Sequence, residues 1–321
     1  MSRGNLLIAT GGALKPEKCF YYLMSYEFNE RNGSWYYSAN HDSPDFALVV
    51  PMPDGSTAPI SHLAVTKSRK MLGASQCPTG TAAGSIALLQ ERTQSWVDRV
   101  MNGSSNRRQV WFSMDHQLQP KLLYGMCCNT GSLNELDQAI QKQLYTVIPK
   151  GGLIRTVPKR LRDLDRGFYG GGATNVSVGV SVVQTNKLLM YYGCSTSVGL
   201  FLQTSMELLA IELGYSASPL QLDYGRHGHM VTHCWLKTVW KKLDRFKFQV
   251  QVHNVGLTPP RGEKDGWLMQ RFEDAGYSLA ELCRLNKVRI HQQVIFLSDV
   301  LRADGLRLDG KYLQRRPSSA T

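Results

Sequence analysis

Residues 11–22 read Gly11-Gly12-Ala13-Leu14-Lys15-Pro16-Glu17-Lys18-Cys19-Phe20-Tyr21-Tyr22, and this stretch decides how the N-terminal part of the chain is interpreted. The two glycines permit a sharp turn, and the proline behind them blocks the continuation of a helix. The aromatic run that follows is typical of a β-strand. The stretch therefore predicts a turn that presents a lysine at the edge of a sheet, an arrangement suited to binding phosphate.

The rest of residues 1–80 predicts antiparallel hairpins. Asn32-Gly33 separates two aromatic-rich runs, 19–28 and 34–37, and Asn-Gly between such runs is a strong hairpin signal. A second extended pair is expected at 46–50 and 60–65, joined by a turn rich in proline and glycine.

From about residue 84 the apolar residues recur with the period of a helix. Helices are expected at 84–102 and at 110–128, the second with a break at Pro120. Ser132 and Glu135 form a capping box in front of a further amphipathic helix. The fold class is therefore α+β, with antiparallel hairpins followed by a mostly α-helical region.

The C-terminal part also predicts helices. Two apolar helices are expected at 180–192 and 200–213, the second ended by Gly214. A third helix packs apolar residues of 231–246 on one face and turns three lysines, Lys237, Lys241 and Lys242, to solvent. Composition and pattern divide the chain into a hairpin region at 1–80, a helical region at 81–214 and a basic helical extension at 215–321.

The chain carries a formal net charge of +12, from 37 Lys and Arg against 25 Asp and Glu. A surplus of this size favours a polyanionic partner. The most basic window is 150–166, and the glycine cluster 170–172 that follows it is interpreted as a hinge. The candidate contacts with phosphate in the helical region are Arg107, Arg108, Lys159, Arg160 and Arg162.

The seven cysteines are scattered, odd in number and free of any Cys-x-x-Cys pair. This pattern argues for free thiols in a reducing compartment and against a zinc ribbon. No apolar run approaches the roughly 20 residues that span a bilayer. We expect an intracellular protein, nuclear or cytoplasmic, with no secretion signal and no membrane partner.

One local cluster raises the possibility of metal chemistry. His227, His229, His233 and Cys234 lie within eight residues, and imidazoles four apart on a helix can share a metal ion. No glutamate stands between His229 and His233 to act as a base, so we interpret the cluster as an exposed helix start and predict no metal site. The sequence also contains no paired carboxylates at the end of a strand, which two-metal phosphoryl transfer requires.

Several short motifs, taken in order, resemble the reverse transcriptases of retroelements of the non-long-terminal-repeat class. The stretch from Gly12 to Phe20 resembles the palm segment that follows the catalytic Asp-Asp hairpin, and Lys70-Met71-Leu72-Gly73 is similar to the primer-grip hairpin. The region 118–125 and the glycines 170–172 ahead of Gln184 are similar to the thumb and connection. The resemblance covers residues 4–200, and it implies that the hairpins end a palm sheet and that the helices form a thumb.

The resemblance also implies roles for individual residues. Lys18 takes the position of the lysine that neutralises or protonates the departing pyrophosphate. Leu72 and Gly73 take positions where the primer strand is gripped, and Lys15 and Lys70 beside these motifs are further candidate contacts with nucleic acid. The chain departs from the family pattern because the Tyr-x-Asp-Asp hairpin and the upstream palm aspartate are absent, and Met1 falls just after the expected hairpin.

The sequence therefore leads to the expectation of a catalytically inactive fragment of an RNA-directed DNA polymerase, which binds a template–primer duplex through its phosphates. The nucleic acid would be an RNA/DNA duplex or DNA, with the missing N-terminal polymerase portion as a possible protein partner. No cofactor is expected in this chain, since Mg²⁺ is implied only for a complete polymerase. Two alternatives stay open: a standalone basic nucleic-acid-binding or assembly protein, and a metal-dependent hydrolase that uses the 227–234 cluster.

Overall fold

The computed structural model describes residues 15–29, 34–38, 47–52, 54–71, 74–154, 156–163, 175–252, 261–262 and 265–313. Strands occupy the first part of these residues and helices the remainder, so the chain is mixed α+β and mostly helical, as the sequence predicts. The chain forms two compact units, Met1–Val176 and Ser177–Thr321. The boundary falls inside the segment 81–214 that the sequence pattern treats as one region.

The strands are short and pair two by two. In chain order they are β1 (Phe20–Tyr21), β2 (Ser25–Asn29), β3 (Ser34–Ser38), β4 (Val49–Pro51), β5 (Thr57–Pro59), β6 (Ser61–His62), β7 (Arg69–Met71) and β8 (Ala74–Gln76). The pairs β2–β3, β4–β5 and β7–β8 are antiparallel, and β1–β6 is parallel. Among the described strands each sheet has two members, so the expected hairpins form without joining into one sheet.

The second hairpin agrees with its prediction only in part, because the Ile60 N–H donates to the Leu48 carbonyl (2.8 Å) but most of the pairing lies earlier in the second strand. β4 pairs with Thr57–Pro59, whereas residues 61–62, which lie in the expected partner run, pair with β1 instead. The reason lies in the turn: the Asp54 carboxylate accepts hydrogen bonds from both the backbone N–H and the hydroxyl of Ser56. Gly55 supplies the left-handed backbone (φ 83°) that closes this tight turn, so pairing begins directly after it.

The helices of the first unit are α1 (Ala83–Asn102), α2 (Arg107–Ser113), α3 (Gln119–Tyr124), α4 (Leu133–Val147) and α5 (Lys159–Asp163). α1 packs against α4 and buries Leu89, Trp96 and Val100 in a core that also contains Leu136 and Ile140. The predicted capping box is present, because Ser132 and Glu135 exchange hydrogen bonds at the start of α4.

A π-helical turn, Met114–Leu118, joins α2 to α3. The sequence predicts a break at Pro120, but the irregular turn lies before that residue, and Pro120 sits in the first turn of α3. This position suits proline, because the first turn of a helix needs no N–H donor from it. The wide turn shifts the direction of the side chains on α3 relative to those on α2.

The second unit contains α6 (Val176–Tyr191, whose first residue belongs to the first unit), α7 (Ser197–Leu213), α8 (Tyr224–His227), α9 (Trp235–Phe246), α10 (Leu268–Asp274), α11 (Leu279–His291), α12 (Leu297–Val300) and α13 (Gly310–Leu313). Its core includes Leu188, Met206, Leu213, Trp240 and Leu282. None of the helices described here or in the first unit is both long and apolar enough to cross a membrane.

Two local predictions in this unit have different outcomes. Gly214 ends α7 in the left-handed conformation (φ 73°), as its position in the sequence predicts. Lys242 is expected on the solvent face of α9, but it is only 4% exposed. Its ammonium group donates a hydrogen bond of 2.5 Å to the Gln184 side-chain carbonyl of α6, so this lysine is part of the interior of the unit.

Candidate functional site

A groove of about 580 Å³ lies in the first unit, between α1 and the segment that runs from the π-helical turn into α3. Its wall on α1 includes Arg92 and Arg99, which are seven residues apart and share one face of that helix. Lys121 and Tyr124 of α3 line the opposite side. A groove of this volume is large enough to hold a segment of a polymer or a small ligand.

The two walls of the groove are tied together by hydrogen bonds. The Arg92 guanidinium donates to the Lys121 backbone carbonyl over 2.8 Å, which joins α1 to α3. Arg99 donates through Nε to the Ser95 carbonyl (3.1 Å), so its stem runs along the helix surface. Trp96 is 3% exposed and lines the groove between them. The arrangement holds the cationic side chains on a rigid helical frame.

The charge of the groove is positive. Arg92, Arg99 and Lys121 line it together with a single carboxylate, Glu91. Tyr124 is 65% exposed, so an aromatic ring adjoins the cations. Cations next to an accessible aromatic ring are the combination with which proteins bind the phosphates and bases of nucleic acids.

The sequence-predicted site residues of the hairpin region lie outside this groove. Lys15 and Lys18 are exposed; Lys15 precedes a 3₁₀ turn, Pro16–Lys18, in which the Lys18 N–H donates to the Lys15 carbonyl (2.9 Å). Lys70 is exposed on β7. Leu72 and Gly73 lie outside the described residues, between the paired strands β7 and β8.

The candidate cations of the helical region have different surroundings. Arg107 and Arg108 are exposed at the start of α2, and the Arg107 side chain lies over Gly152, where a Cβ atom would approach its Nε to 2.6 Å. Arg160 is exposed on α5. Lys159 begins the same helix, but its side chain is outside the described part of the structure.

Arg162 is not a surface cation. Only 6% of the residue is exposed, its guanidinium lies 4.2 Å from the centre of the Tyr145 ring, and Nε is 3.1 Å from an Asp163 carboxylate oxygen. A guanidinium stacked on an aromatic ring and paired with a carboxylate has its hydrogen-bonding and charge partners inside the protein. This placement favours a structural role for Arg162 over the expected phosphate contact.

The histidine cluster does not converge. His227 is buried at the end of α8, where Nδ1 is 3.1 Å from the Asp223 carbonyl. His229 Nε2 is 2.8 Å from the sulfur of Cys283, and His233 is exposed. Within the described ranges no three histidine, cysteine or carboxylate side chains form a group fit to hold a metal ion, whether Zn²⁺ for a hydrolase or the Mg²⁺ of a polymerase.

Sequence reasoning missed the three cations of the groove. The signal for Arg92 and Arg99 was present, since a spacing of seven places two residues on the same helix face. Lys121 lies within the region 118–125 that carries the thumb resemblance. Their convergence depends on how α3 returns to α1 after the π-helical turn, and no local pattern specifies that return.

Comparisons of the chain with protein-family models, with curated proteins and with solved structures give no match.

Proposed function

We propose that the chain binds a nucleic acid duplex of the template–primer type through its phosphates, without regard to sequence and without polymerase activity of its own. The observation that carries this proposal is the groove between α1 and α3, lined by three cations and one carboxylate. Phosphate binding by lysine and arginine releases condensed counterions, so its affinity falls steeply with salt.

Exposed cations outside the groove provide further sites that can bind phosphate. Arg107, Arg108 and Arg160 of the first unit are exposed, and each is able to contact a phosphate without fixing the register of the bases. Lys15, Lys18 and Lys70 are exposed in the hairpin region. The net charge of +12 supports association with a polyanion over the whole chain.

The proposed origin of this binding is the distal part of a retroelement reverse transcriptase, with palm-end hairpins and a thumb-like helical region. Its support is the order of the sequence motifs together with the antiparallel pairing of β7 with β8, the strands before and after Leu72-Gly73 in the sequence.

The test is a titration of the full chain with a fluorescent RNA/DNA duplex across a range of salt concentrations. The paired substitution Arg99→Gln/Lys121→Gln removes two groove cations while it leaves the Arg92 hydrogen bond to the backbone in place. We expect the slope of log affinity against log salt to fall by about 2, because each lost phosphate contact removes roughly one unit of slope.

A matched control removes two exposed cations away from the groove, Lys142→Gln on α4 and Arg284→Gln on α11. We expect a smaller loss of slope, since these side chains do not line the groove. A slope near zero for the unmodified chain contradicts nucleic acid binding altogether. Equal losses in both paired variants contradict the groove as its principal site.

A second candidate, a standalone nucleic-acid-binding protein without polymerase ancestry, is favoured by one observation. The described strands form separate two-stranded sheets rather than one continuous sheet. Both candidates predict the same salt dependence, so sequencing of the DNA upstream of the first codon separates them. An in-frame Asp-Asp hairpin there supports the polymerase ancestry, and unrelated sequence supports the second candidate.

A further inference from the structure

Cys283 and His229 form a close pair that the proposed binding function does not use. The cysteine sulfur and the imidazole Nε2 are 2.8 Å apart, although the two residues are separated by 54 positions in the chain. His229 is exposed in a 3₁₀ turn, Gly228–Met230, and Cys283 is half-buried on α11. A thiol within about 3 Å of an imidazole has the geometry of a nucleophile and its general base.

Both partners of the pair are held in position. Asn286, one turn after Cys283 on α11, donates from its side-chain amide to the Met230 carbonyl (3.4 Å) and so ties the helix to the turn that carries His229. Asn286 also donates to the Glu212 carbonyl (2.9 Å) and is itself 2% exposed. On the other side of His229, Gly228 packs so closely on the Tyr224 ring that a Cβ atom would lie 2.6 Å from it.

A cation lies one turn of α11 beyond the thiol. Lys287 follows Cys283 at four positions along α11, and residues four apart are neighbours on a helix surface. The nearest carboxylate on the same helix, Glu281, accepts hydrogen bonds from the N–H and hydroxyl of Ser278 at the helix start. Cationic neighbours of this kind are typical of reactive cysteines.

We propose that Cys283 is a reactive thiol, with His229 as its general base, and that its substrate is a hydroperoxide. The imidazole, with its proton on Nδ1, takes the thiol proton on Nε2 while the sulfur attacks the distal oxygen of the peroxide. The S–O bond forms and the O–O bond breaks, so the sulfur is oxidised to a sulfenic acid and the peroxide is reduced. The leaving alkoxide, or hydroxide from hydrogen peroxide, takes the proton from the imidazolium and departs as an alcohol or water.

Cys194 offers a matched comparison within the same molecule. It is also half-buried, and its thiol donates to the backbone carbonyl of Met190 (3.1 Å) rather than to a base. We treat the full chain with a limiting amount of iodoacetamide at pH 7 and measure modification at each cysteine by peptide mass spectrometry. A positioned base contributes about 10²–10⁴-fold to the rate in catalysis. We expect a smaller effect on alkylation, so that Cys283 reacts about tenfold faster than Cys194.

Two histidine variants test the role of the base. His229→Gln keeps a polar side chain but removes the base, and it is expected to slow Cys283 about tenfold while Cys194 is unchanged. His233→Gln is the control, because His233 is an exposed imidazole four residues away. The rate at Cys194 in the same sample reports whether the variant is folded.

The oxidation step has its own readout. Hydrogen peroxide followed by dimedone is expected to label Cys283 in the unmodified chain and to leave Cys194 unlabelled. Cys283 reacting no faster than Cys194, or equally fast in His229→Gln, overturns the proposal. Fast alkylation without a dimedone adduct at Cys283 overturns the hydroperoxide as substrate.

Discussion

Single residues in this chain depart from the sequence pattern where a charge is buried. Arg162 lies against Tyr145 and Asp163, and Lys242 reaches the Gln184 carbonyl. Each of the two residues belongs to a run of cations that the sequence pattern predicts to be exposed to solvent. The partner of Lys242 lies 58 positions away in the chain, so a local pattern does not contain it. Arg162 has one neighbouring partner, Asp163, but its stacking on Tyr145 likewise depends on the tertiary fold.

The burial of Lys242 predicts an unusual dependence of stability on pH. Burial lowers the pKa of its ammonium group from 10.5 to about 8. Between these values the unfolded chain binds more protons than the folded chain, so the free energy of unfolding rises as the pH increases from about 8 to 10.5. The full change is about 3.5 kcal/mol at most, from about 1.4 kcal/mol for each pKa unit.

Lys242→Met is therefore expected to remove most of this rise, while at pH 7 the gain from not burying an ammonium group is offset because the buried Gln184 carbonyl loses this donor. Urea denaturation at pH 7 and pH 10 provides the measurement. Lys241→Met is the control, because the neighbouring lysine is exposed on the same helix. A destabilised Lys242→Met variant with an unchanged pH profile would show that the charge is accommodated in the folded state.

Helix ends are the elements that the sequence predicts best. The capping box at Ser132 and the left-handed Gly214 both appear where the pattern places them. Each of these signals acts within four residues, so no tertiary information is needed. The strands are predicted less well, because runs of two or three residues pair according to turn geometry, as the tight turn closed by Gly55 demonstrates.

One helix end depends instead on a distant side chain. The Lys150 ammonium group donates to the carbonyls of Val100 (2.6 Å), Met101 (3.1 Å) and Gly103 (2.6 Å), at and just beyond the C-terminus of α1. These carbonyls have few partners within the helix, and a cation also interacts favourably with the helix dipole there. Lys150 belongs to the most basic window of the sequence, yet its ammonium group binds backbone carbonyls of the protein itself.

Lys150→Met is expected to lower the free energy of unfolding by about 1.5 kcal/mol, the usual worth of charge-assisted hydrogen bonds lost at a partly exposed site. The midpoint of urea denaturation followed by circular dichroism measures the loss. Lys142→Met removes an exposed cation from α4 and should leave the midpoint within experimental error. If the Lys150→Met variant has the same midpoint as the unmodified protein, water binds these carbonyls as favourably as the ammonium group does.

At the scale of the whole molecule, net charge and fold class follow from the sequence, whereas the groove does not. The surplus of +12 is fixed by composition, and the change from strands to helices near residue 83 follows from periodicity. The groove requires α3 to fold back beside α1, with the Arg92 hydrogen bond to the Lys121 carbonyl as the link. That contact joins residues 29 positions apart, beyond the reach of any motif in this chain.

Binding through phosphates alone makes a prediction for the full chain. Contacts with phosphates carry no information about base sequence, so duplexes of equal length and different sequence should bind with affinities within about threefold of one another at fixed salt. Competition titrations with AT-rich, GC-rich and mixed duplexes at one ionic strength measure this. A preference of a hundredfold or more for one sequence would require contacts with base edges in the grooves of the nucleic acid itself. Each good contact of that kind is worth about 1–3 kcal/mol, and the exposed cations described above do not account for such contacts.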